Sequence, residues 1–279
     1  MANYTAADIK ALREKTGAGM MDVKKALDEA NGDAEKAIEI IRVKGLKGLT
    51  KREDRATSAG LIVADVVEVE GGKVGYLVEI NSETDFVAKN EKFIAFAESV
   101  LASAVAAEAA DLDALLAAPL GERTVKDELD ELASVIGEKI QVRRVARLAG
   151  EDIALYLHKT AKDLPPQVGV LVASTGAANT VARDVAMHIA AYTPKYLSRD
   201  EVPAADIEHE RSVLEEATRA EGKPEAALPK IVEGKLNGFF KEIVLLDQPY
   251  AKDPKVAVGK VVEETGGTLT GFARFRVGV

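Results

Sequence analysis

The sequence predicts an α+β protein with an N-terminal three-helix unit followed by two related α/β lobes. Apolar residues recur at helical spacing in three short segments before residue 44, whereas aliphatic runs bounded by turn residues begin only after residue 59. A strand pair followed by a helix then occurs twice. We expect each lobe to contain a three-stranded antiparallel sheet with helices on one face. The predicted boundaries are 1–44 for the helical unit, 45–58 for a linker, 59–148 for the first lobe and 149–279 for the second.

Capping residues define the helices of the N-terminal unit. Thr5 followed by Asp8 is a capping-box-like pattern that favours a helix start. Gly17 and Gly19 indicate the end of that helix, because glycine readily adopts the left-handed conformation of a C-terminal cap. Asp33 follows a break in the pattern and is the predicted N-cap of the third helix. Three helices in so short a segment form a bundle of marginal size.

The segment 45–58 is polar, lacks periodicity and contains Gly45 and Gly48, so it is predicted to be a linker. Basic residues concentrate in and beside it: Lys44, Lys47, Lys51, Arg52 and Arg55. These charges are interpreted as a solvated linker, with a local nucleic-acid patch as the alternative.

The two lobes are inferred from a recurring order of elements. In the first, a strand at residues 61–67 and a strand at 74–80 flank a Glu-Gly-Gly-Lys turn. Residues 75–79 resemble residues 169–173, and both segments precede a polar loop and a helix. The predicted third strands lie near residues 140–145 and 268–277.

A helical hairpin is predicted within the second lobe at about residues 200–243. Apolar residues recur at helical spacing on both sides of a Gly-Lys-Pro turn at residues 222–224. Because the apolar stripe is narrow, we expect the hairpin to protrude as a two-helix coiled coil.

Composition excludes several classes of function. The chain of 279 residues has a formal net charge of −9, so it lacks the basic footprint of a nucleic-acid-binding protein at the whole-chain level. It has no cysteine, which excludes disulfides, thiolate metal sites and cysteine nucleophiles. No apolar run is long enough to cross a bilayer, and the N-terminus lacks the pattern of a signal peptide. We therefore expect a cytoplasmic protein without membrane contact.

Motifs for catalysis or cofactor binding are not found in the sequence. It contains no phosphate-binding loop, no dinucleotide-binding glycine pattern and no nucleophile elbow. His158, His188 and His209 are far apart and lack the spacing of metal ligands. His188 is interpreted as a core or boundary residue of its helix. The sequence therefore predicts neither an enzyme nor a bound cofactor or metal.

Two pairs of residues are candidates for contact with another protein. Asp85 and Phe86 fall in the first turn of a helix after the strand at 74–80. Asp85 has a purely structural interpretation at the positive end of the helix dipole, and Phe86 has one as a core residue. Met20 and Met21 have a similar alternative as core residues. Adjacent residues on a helix do not share one face, so at least one methionine is expected to be exposed.

Three segments resemble the translation elongation factor Ts family, namely residues 12–27, residues 84–90 and the Ile136-Gly137-Glu138 tripeptide. Because the first two patterns are long and specific, and the duplicated lobes also match, the resemblance covers essentially the whole chain. It implies a guanine nucleotide exchange factor for the GTPase elongation factor Tu. It also implies a ubiquitin-associated type of N-terminal domain, a two-lobed core and a protruding coiled coil.

The resemblance further implies which residues contact the partner. They are Arg13, Met20, Met21, Lys24, Thr84, Asp85, Phe86, Val87, Ile136, Gly137, His158, Val232 and Leu236. In the family, the Asp-Phe pair is pushed between helices of the GTPase near its magnesium site. The region of Val232 and Leu236 is expected to touch the far domain of the partner.

Several alternatives remain open at this stage. Family members differ in oligomeric state, so a homodimer and a heterotetramer with the partner are both possible. Some members continue into an extra C-terminal helical module that this sequence lacks, and we expect the other contacts to suffice. A non-catalytic adaptor would bind the GTPase without speeding nucleotide release. A small-molecule enzyme would need convergent polar groups between the lobes, which the sequence does not indicate.

Overall fold

A computed structural model describes residues 3–16, 18–50 and 52–278 of the chain. The N-terminal unit comprises α1 (Ala6–Thr16), α2 (Met20–Glu29) and α3 (Ala34–Thr50). The predicted capping box is confirmed, since the Thr5 N–H donates to Asp8 Oδ2 at 2.7 Å and the Asp8 N–H donates to Thr5 Oγ1 at 3.3 Å. Asp33 caps α3 by accepting from the N–H of Lys36 at 3.1 Å. Gly17 and Lys51 lie outside the described residues, as does the side chain of Lys47.

The first lobe contains a three-stranded antiparallel sheet with helices packed on one face. Its order is β1 (Ala59–Val69), β2 (Gly72–Ser82), α4 (Asp85–Ala88), α5 (Glu91–Ala106), α6 (Leu112–Ala117), β3 (Pro119–Leu120), β4 (Arg123–Thr124), α7 (Val125–Ile136) and β5 (Ile140–Gly150). The sheet has the order β1-β2-β5, and its three antiparallel strands agree with the predicted three-stranded sheet. Alternate residues of β2, including Tyr76 and Val78, pack against Phe93 and Val100 of α5. Strand β5 runs past the lobe boundary predicted at 148.

The linker prediction is wrong for residues 45–50, which belong to α3. Gly45, one of the two glycines that indicated a break, permits close packing of α3 on α7 instead. A Cβ atom at Gly45 would lie 1.6 Å from Ser134 Oγ on α7, a separation that only glycine avoids. The Arg52 guanidinium donates to the carbonyl of Ala133 at 3.0 Å at the same interface. Tertiary packing here outweighs the low helix propensity of glycine.

The second lobe repeats the sheet of the first. Its elements are β6 (Asp152–His158), β7 (Val168–Thr175), α8 (Asn179–Tyr192), α9 (Ala204–Ala220), α10 (Leu228–Ile243), β8 (Pro249–Tyr250), β9 (Asp253–Ala257), α11 (Val258–Glu263) and β10 (Thr268–Arg276). The sheet order is β10-β7-β6. Helices α9 and α10 form the predicted hairpin, which turns at Gly222 with a φ of +75°.

His188 lies in the core of the second lobe, in agreement with the prediction. The imidazole is buried, with Nε2 2.8 Å from Gln248 Oε1, and Nδ1 accepts from the N–H of Ala251 at 3.2 Å. Burial lowers the pKa of His188 below its ordinary value, against the opposing effect of Gln248. The neutral imidazole of His188 therefore holds the loop that contains Ala251 in place.

The two sheets pack face to face, an arrangement that the sequence does not predict. Their apolar inner faces share one cluster to which all six strands contribute, and helices cover the outer faces. Close approach depends on two glycines in equivalent positions. A Cβ at Gly75 would lie 2.9 Å from Leu171 Cδ2, and one at Gly169 would lie 2.5 Å from Leu77 Cδ1. The central strands therefore pack reciprocally, each leucine over the other strand's glycine.

An ion pair of the first lobe also contacts the second lobe through its arginine. Glu79 of β2 is inaccessible to solvent and accepts from Arg144 Nε of β5 at 2.6 Å. The same guanidinium stacks over the Phe275 ring of β10 at 4.4 Å and donates to the carbonyl of Arg276. No helix within the described ranges is long and apolar enough to span a membrane.

Candidate functional site

The four-residue helix α4 presents an aromatic ring to solvent. The side chain of Phe86 is 81% exposed, whereas Val87 and Ala88 are buried in the first lobe. Burying a phenylalanine side chain stabilises a protein by about 1.5–3 kcal/mol, a contribution that Phe86 does not make in the free chain. The interpretation of Phe86 as a core residue is therefore wrong. Val87 fills the core position instead. It therefore supports the turn at residues 83–88, which we call the corner, and is not an exposed contact.

Two carboxylates hold this corner in place. Thr84 donates to Glu138 twice, from its N–H to Oε2 at 3.1 Å and from its hydroxyl to Oε1 at 2.7 Å. In return, the Lys139 N–H donates to Glu83 Oε1 at 2.6 Å. We call these four residues the clasp. Because the hydroxyl of Thr84 is already taken by Glu138, Thr84 supports the corner and does not present a free polar group.

Glu83 is anchored further by Arg55. The guanidinium donates to both carboxylate oxygens, at 3.1 and 3.2 Å. Partial burial opposes ionisation of Glu83, but the hydrogen bonds from the Lys139 N–H and from Arg55 outweigh it and lower its pKa. The charged form of Glu83 is therefore favoured, and Arg55 connects the clasp to the segment that follows α3.

The clasp brings the corner next to the end of α7. Ile136 is the last residue of that helix, and Gly137 closes it in the left-handed conformation with a φ of +83°. Gly137 is exposed, and a Cβ there would meet no atom within 4 Å. These two predicted contact residues thus adjoin Glu138, which holds the Phe86 corner.

A loop of the second lobe reaches the corner from the other side. His158 ends β6 and is exposed, with Nδ1 3.0 Å from the Tyr156 hydroxyl. The loop after it places Asp163 2.6 Å from Lys89 Nζ, and the same ammonium lies 3.6 Å from the Asp85 carboxylate. Hydrogen bonding to Asp163 raises the pKa of Lys89 and lowers that of Asp163. Asp85 is therefore exposed beside the Lys89 ammonium, which contacts a carboxylate from each lobe.

The N-terminal unit exposes a second apolar surface. Met20 is 59% and Met21 62% exposed, while Val23 on the same helix is fully buried. The sequence required only one exposed methionine, and the structure has two. The predicted contact residues Arg13 and Lys24 are also exposed. A cleft of about 440 Å³ separates this unit from the first lobe, and its lining includes Gly19, Ile136 and Gly137.

Val232 and Leu236 do not lie on the surface. Each is 1% exposed, and Leu236 packs with Phe240 and Val244 at the root of the hairpin. The expectation that these two side chains touch a partner is therefore corrected, since in this conformation they hold the hairpin together. Their spacing of four residues on α10 is the core stripe of a helix pair.

The residues that support the corner were missed by sequence reasoning. Glu83 and Lys139 carry no pattern of their own, and Lys89 meets Asp163 only because the sheets stack. Glu138 was noted as part of a resembling tripeptide but without a role. Within the described ranges, no group of three or more potential ligand side chains could hold a metal ion.

Comparisons with known proteins point to a single family. The family model described as Elongation factor TS matches residues 83–279. Relatives named elongation factor Ts align over the whole of both chains. The protein from Beutenbergia cavernae is 64% identical over 280 residues, that from Micrococcus luteus 63% over 281 and that from Kocuria rhizophila 61% over 279. These alignments include the N-terminal unit, which lies outside the residues matched by the family model.

Proposed function

The chain belongs to the elongation factor Ts family and is a translation elongation factor, and from that membership we propose that it releases GDP from elongation factor Tu. The observation that carries this proposal is the exposed ring of Phe86 on a corner braced by both lobes. A soluble chain gains nothing by leaving such a ring in water, whereas a partner with a complementary cleft gains its burial. The proposed role is that of an exchange factor and not of an enzyme that makes or breaks covalent bonds.

The proposed mechanism acts on the magnesium site of the GTPase. Magnesium neutralises phosphate oxygens of bound nucleotide and requires near-ideal octahedral geometry at about 2.0–2.1 Å. Insertion of Phe86 between partner helices would shift the groups that hold the ion. Asp85, which is exposed beside the ring, would disturb polar groups near the metal. A small displacement is sufficient because the ion tolerates little distortion.

The energetics of this exchange are reciprocal. If the factor weakens GDP binding by a given ratio, GDP weakens binding of the factor by the same ratio. A ternary complex forms, GDP leaves, and incoming GTP displaces the factor. The exposed surface at Met20, Met21, Arg13 and Lys24 supports docking of the N-terminal unit on the GTPase. Whether the complex contains one or two copies of each chain does not alter this cycle.

The first test is Phe86→Ala. Loss of a ring that is buried only in the complex should slow release of labelled GDP from elongation factor Tu by about tenfold or more at a fixed factor concentration. The measurement is stopped-flow fluorescence of the labelled nucleotide. Because Phe86 is exposed, the melting temperature should stay close to that of the wild type.

Val69→Ala is a matched control, since Val69 is another exposed apolar residue of the same lobe. It should leave GDP release unchanged. If the wild-type chain binds the GTPase without accelerating release, the adaptor alternative replaces the exchange proposal. If the wild type accelerates release but Phe86→Ala does so equally, the insertion mechanism is wrong.

A further inference from the structure

Helix α4 cannot maintain its own conformation. It has four residues, and a single helical turn is unstable in isolation because nucleation fixes several dihedral angles for one hydrogen bond. Thr84 occupies the N-cap position but makes no side-chain capping bond to the helix. The orientation of Phe86 must therefore be imposed by contacts outside the helix.

Burial of Val87 and Ala88 anchors the end of α4, and Glu138 supplies the polar contacts that fix its start. Its two oxygens take both polar hydrogens of Thr84, and a carboxylate acceptor makes these bonds stronger than neutral ones. The carbonyl of Thr84 is fixed as well, since it accepts from Ser82 Oγ at 2.9 Å. The N–H, the hydroxyl and the carbonyl of Thr84 are thus all hydrogen-bonded. The first turn of α4 therefore begins from a residue whose orientation is fixed.

The backbone that carries Glu138 is itself held in place. It follows Gly137 at the end of α7, a helix whose start carries a complete capping box between Thr124 and Asp127. Lys139 Nζ ties the same segment to the carbonyls of Glu53 and Arg55. Because Glu138 is attached to the end of α7, its hydrogen bonds to Thr84 fix the corner relative to that helix. The competing contact, Lys89 with Asp163, is more exposed and therefore weaker.

We propose that Glu138 is a positioning residue for Phe86, holding Thr84 so that the ring meets the GTPase already in its inserting orientation. This inference rests on the proposed exchange function and deepens it. Without the clasp, the corner would have to be ordered during insertion, and that cost would fall on the nucleotide-release step. Docking through the N-terminal unit would be unaffected because it does not involve the corner.

Glu138→Gln tests this proposal, since it keeps the shape of the side chain but removes its charge and one acceptor. At saturating factor, release of labelled GDP from elongation factor Tu should slow by about five- to tenfold, while the half-saturating concentration changes by less than about twofold. Glu128→Gln, which changes an α7 carboxylate away from the corner, should match the wild type in both quantities.

A double-mutant cycle separates positioning from general stability. If Glu138 acts through Phe86, Glu138→Gln should have no further effect on exchange when Phe86 is already alanine. Its effect on the melting temperature should be the same in both backgrounds. Should Glu138→Gln melt below the assay temperature, Thr84→Val takes its place in the cycle, because it removes only the hydroxyl.

The outcomes distinguish this inference from the proposed function. A wild-type chain that does not accelerate GDP release contradicts the function itself. If the wild type is active and Phe86→Ala is impaired, then a Glu138→Gln variant with wild-type kinetics overturns the positioning role. Equal losses from Glu138→Gln in both backgrounds overturn it too, since they indicate a merely structural contribution.

Discussion

Three large side chains, Met20, Met21 and Phe86, are exposed although a chain of this size has ample core in which to bury them. In each case a neighbour on the same helix fills the core position: Val23 in α2 and Val87 in α4. The local fold therefore does not depend on the exposed residues. Substituting them should affect recognition and leave folding nearly unchanged.

The paired substitution Met20→Ser and Met21→Ser makes this expectation quantitative at the residue scale. Affinity for nucleotide-free elongation factor Tu, measured by isothermal titration calorimetry, should fall about tenfold or more as two apolar contacts are lost. The free energy of unfolding should change by less than about 1 kcal/mol, because each site is exposed. Val23→Ser is the buried comparison and should destabilise the chain strongly. Comparable losses of affinity and stability in the double variant would indicate that the methionines contribute to the core and not to recognition.

At the scale of elements, the contact between α3 and α7 decides how the N-terminal unit is placed. The two helices approach closely at Gly45 and are joined by the Arg52 hydrogen bond to Ala133. A second link pairs Arg42 with Glu131 at 3.7 Å. The N-terminal unit is thus docked on the lobe that carries Phe86, and both proposed contact surfaces are presented together.

Gly45→Ala and Gly48→Ala test this docking as a matched pair on one helix. A Cβ at Gly45 would meet Ser134 Oγ at 1.6 Å, so α3 must move away from α7. A Cβ at Gly48 would meet the end of the Arg52 side chain, whose displacement weakens the hydrogen bond to Ala133 but does not force the α3 and α7 backbones apart. Hydrogen exchange in α7 should rise more for Gly45→Ala than for Gly48→Ala, because in the second variant up to about 1 kcal/mol of helix propensity offsets the weakened Arg52 contact. Identical exchange in the two variants would argue against the docked arrangement.

At the scale of the whole molecule, the sandwich of two sheets brings a loop of the second lobe to the corner. Asp163 reaches Lys89 because the second sheet lies against the first. The Ile62 N–H donates to the carbonyl of Pro166 at 2.8 Å, which fixes the loop that carries Asp163. The distance between the sheets is set at Gly75 and Gly169, where a leucine of the opposite strand fills the space that a side chain would occupy.

Gly169→Ala should therefore destabilise the chain by about 1–3 kcal/mol through overpacking. The new methyl group would lie 2.5 Å from Leu77 Cδ1 and 2.6 Å from Ile62 Cγ2. Adding Leu77→Ala should relieve the clash with Leu77 while that with Ile62 remains, so that the double variant is more stable than the sum of the single losses predicts. Urea denaturation followed by circular dichroism measures all three variants. Strict additivity would mean that the two residues are not packed against each other.

Local interactions in the sequence determined the elements of this protein. The capping box of Thr5 and Asp8, the cap at Asp33 and the turn between β1 and β2 each involve residues close together in the chain, and all were predicted. The duplication of the lobes was also predicted, because the same order of elements recurs along the chain and residues 75–79 resemble residues 169–173. Resemblance to a family then supplied the candidate contact residues, which physical pattern alone did not distinguish from core residues.

Only the tertiary structure decided which of those candidates are exposed and what supports them. Phe86 and Val87 are adjacent and both apolar, yet packing of α4 on the sheet buries one and displays the other. Thr84 and Glu138 are 54 positions apart, and Lys89 and Asp163 are 74 apart. Val232 and Leu236 are buried in α10, which packs against α9. Contacts at such separations depend on how the faces of helices and sheets pack against one another. The local pattern of residues along the chain does not specify that packing.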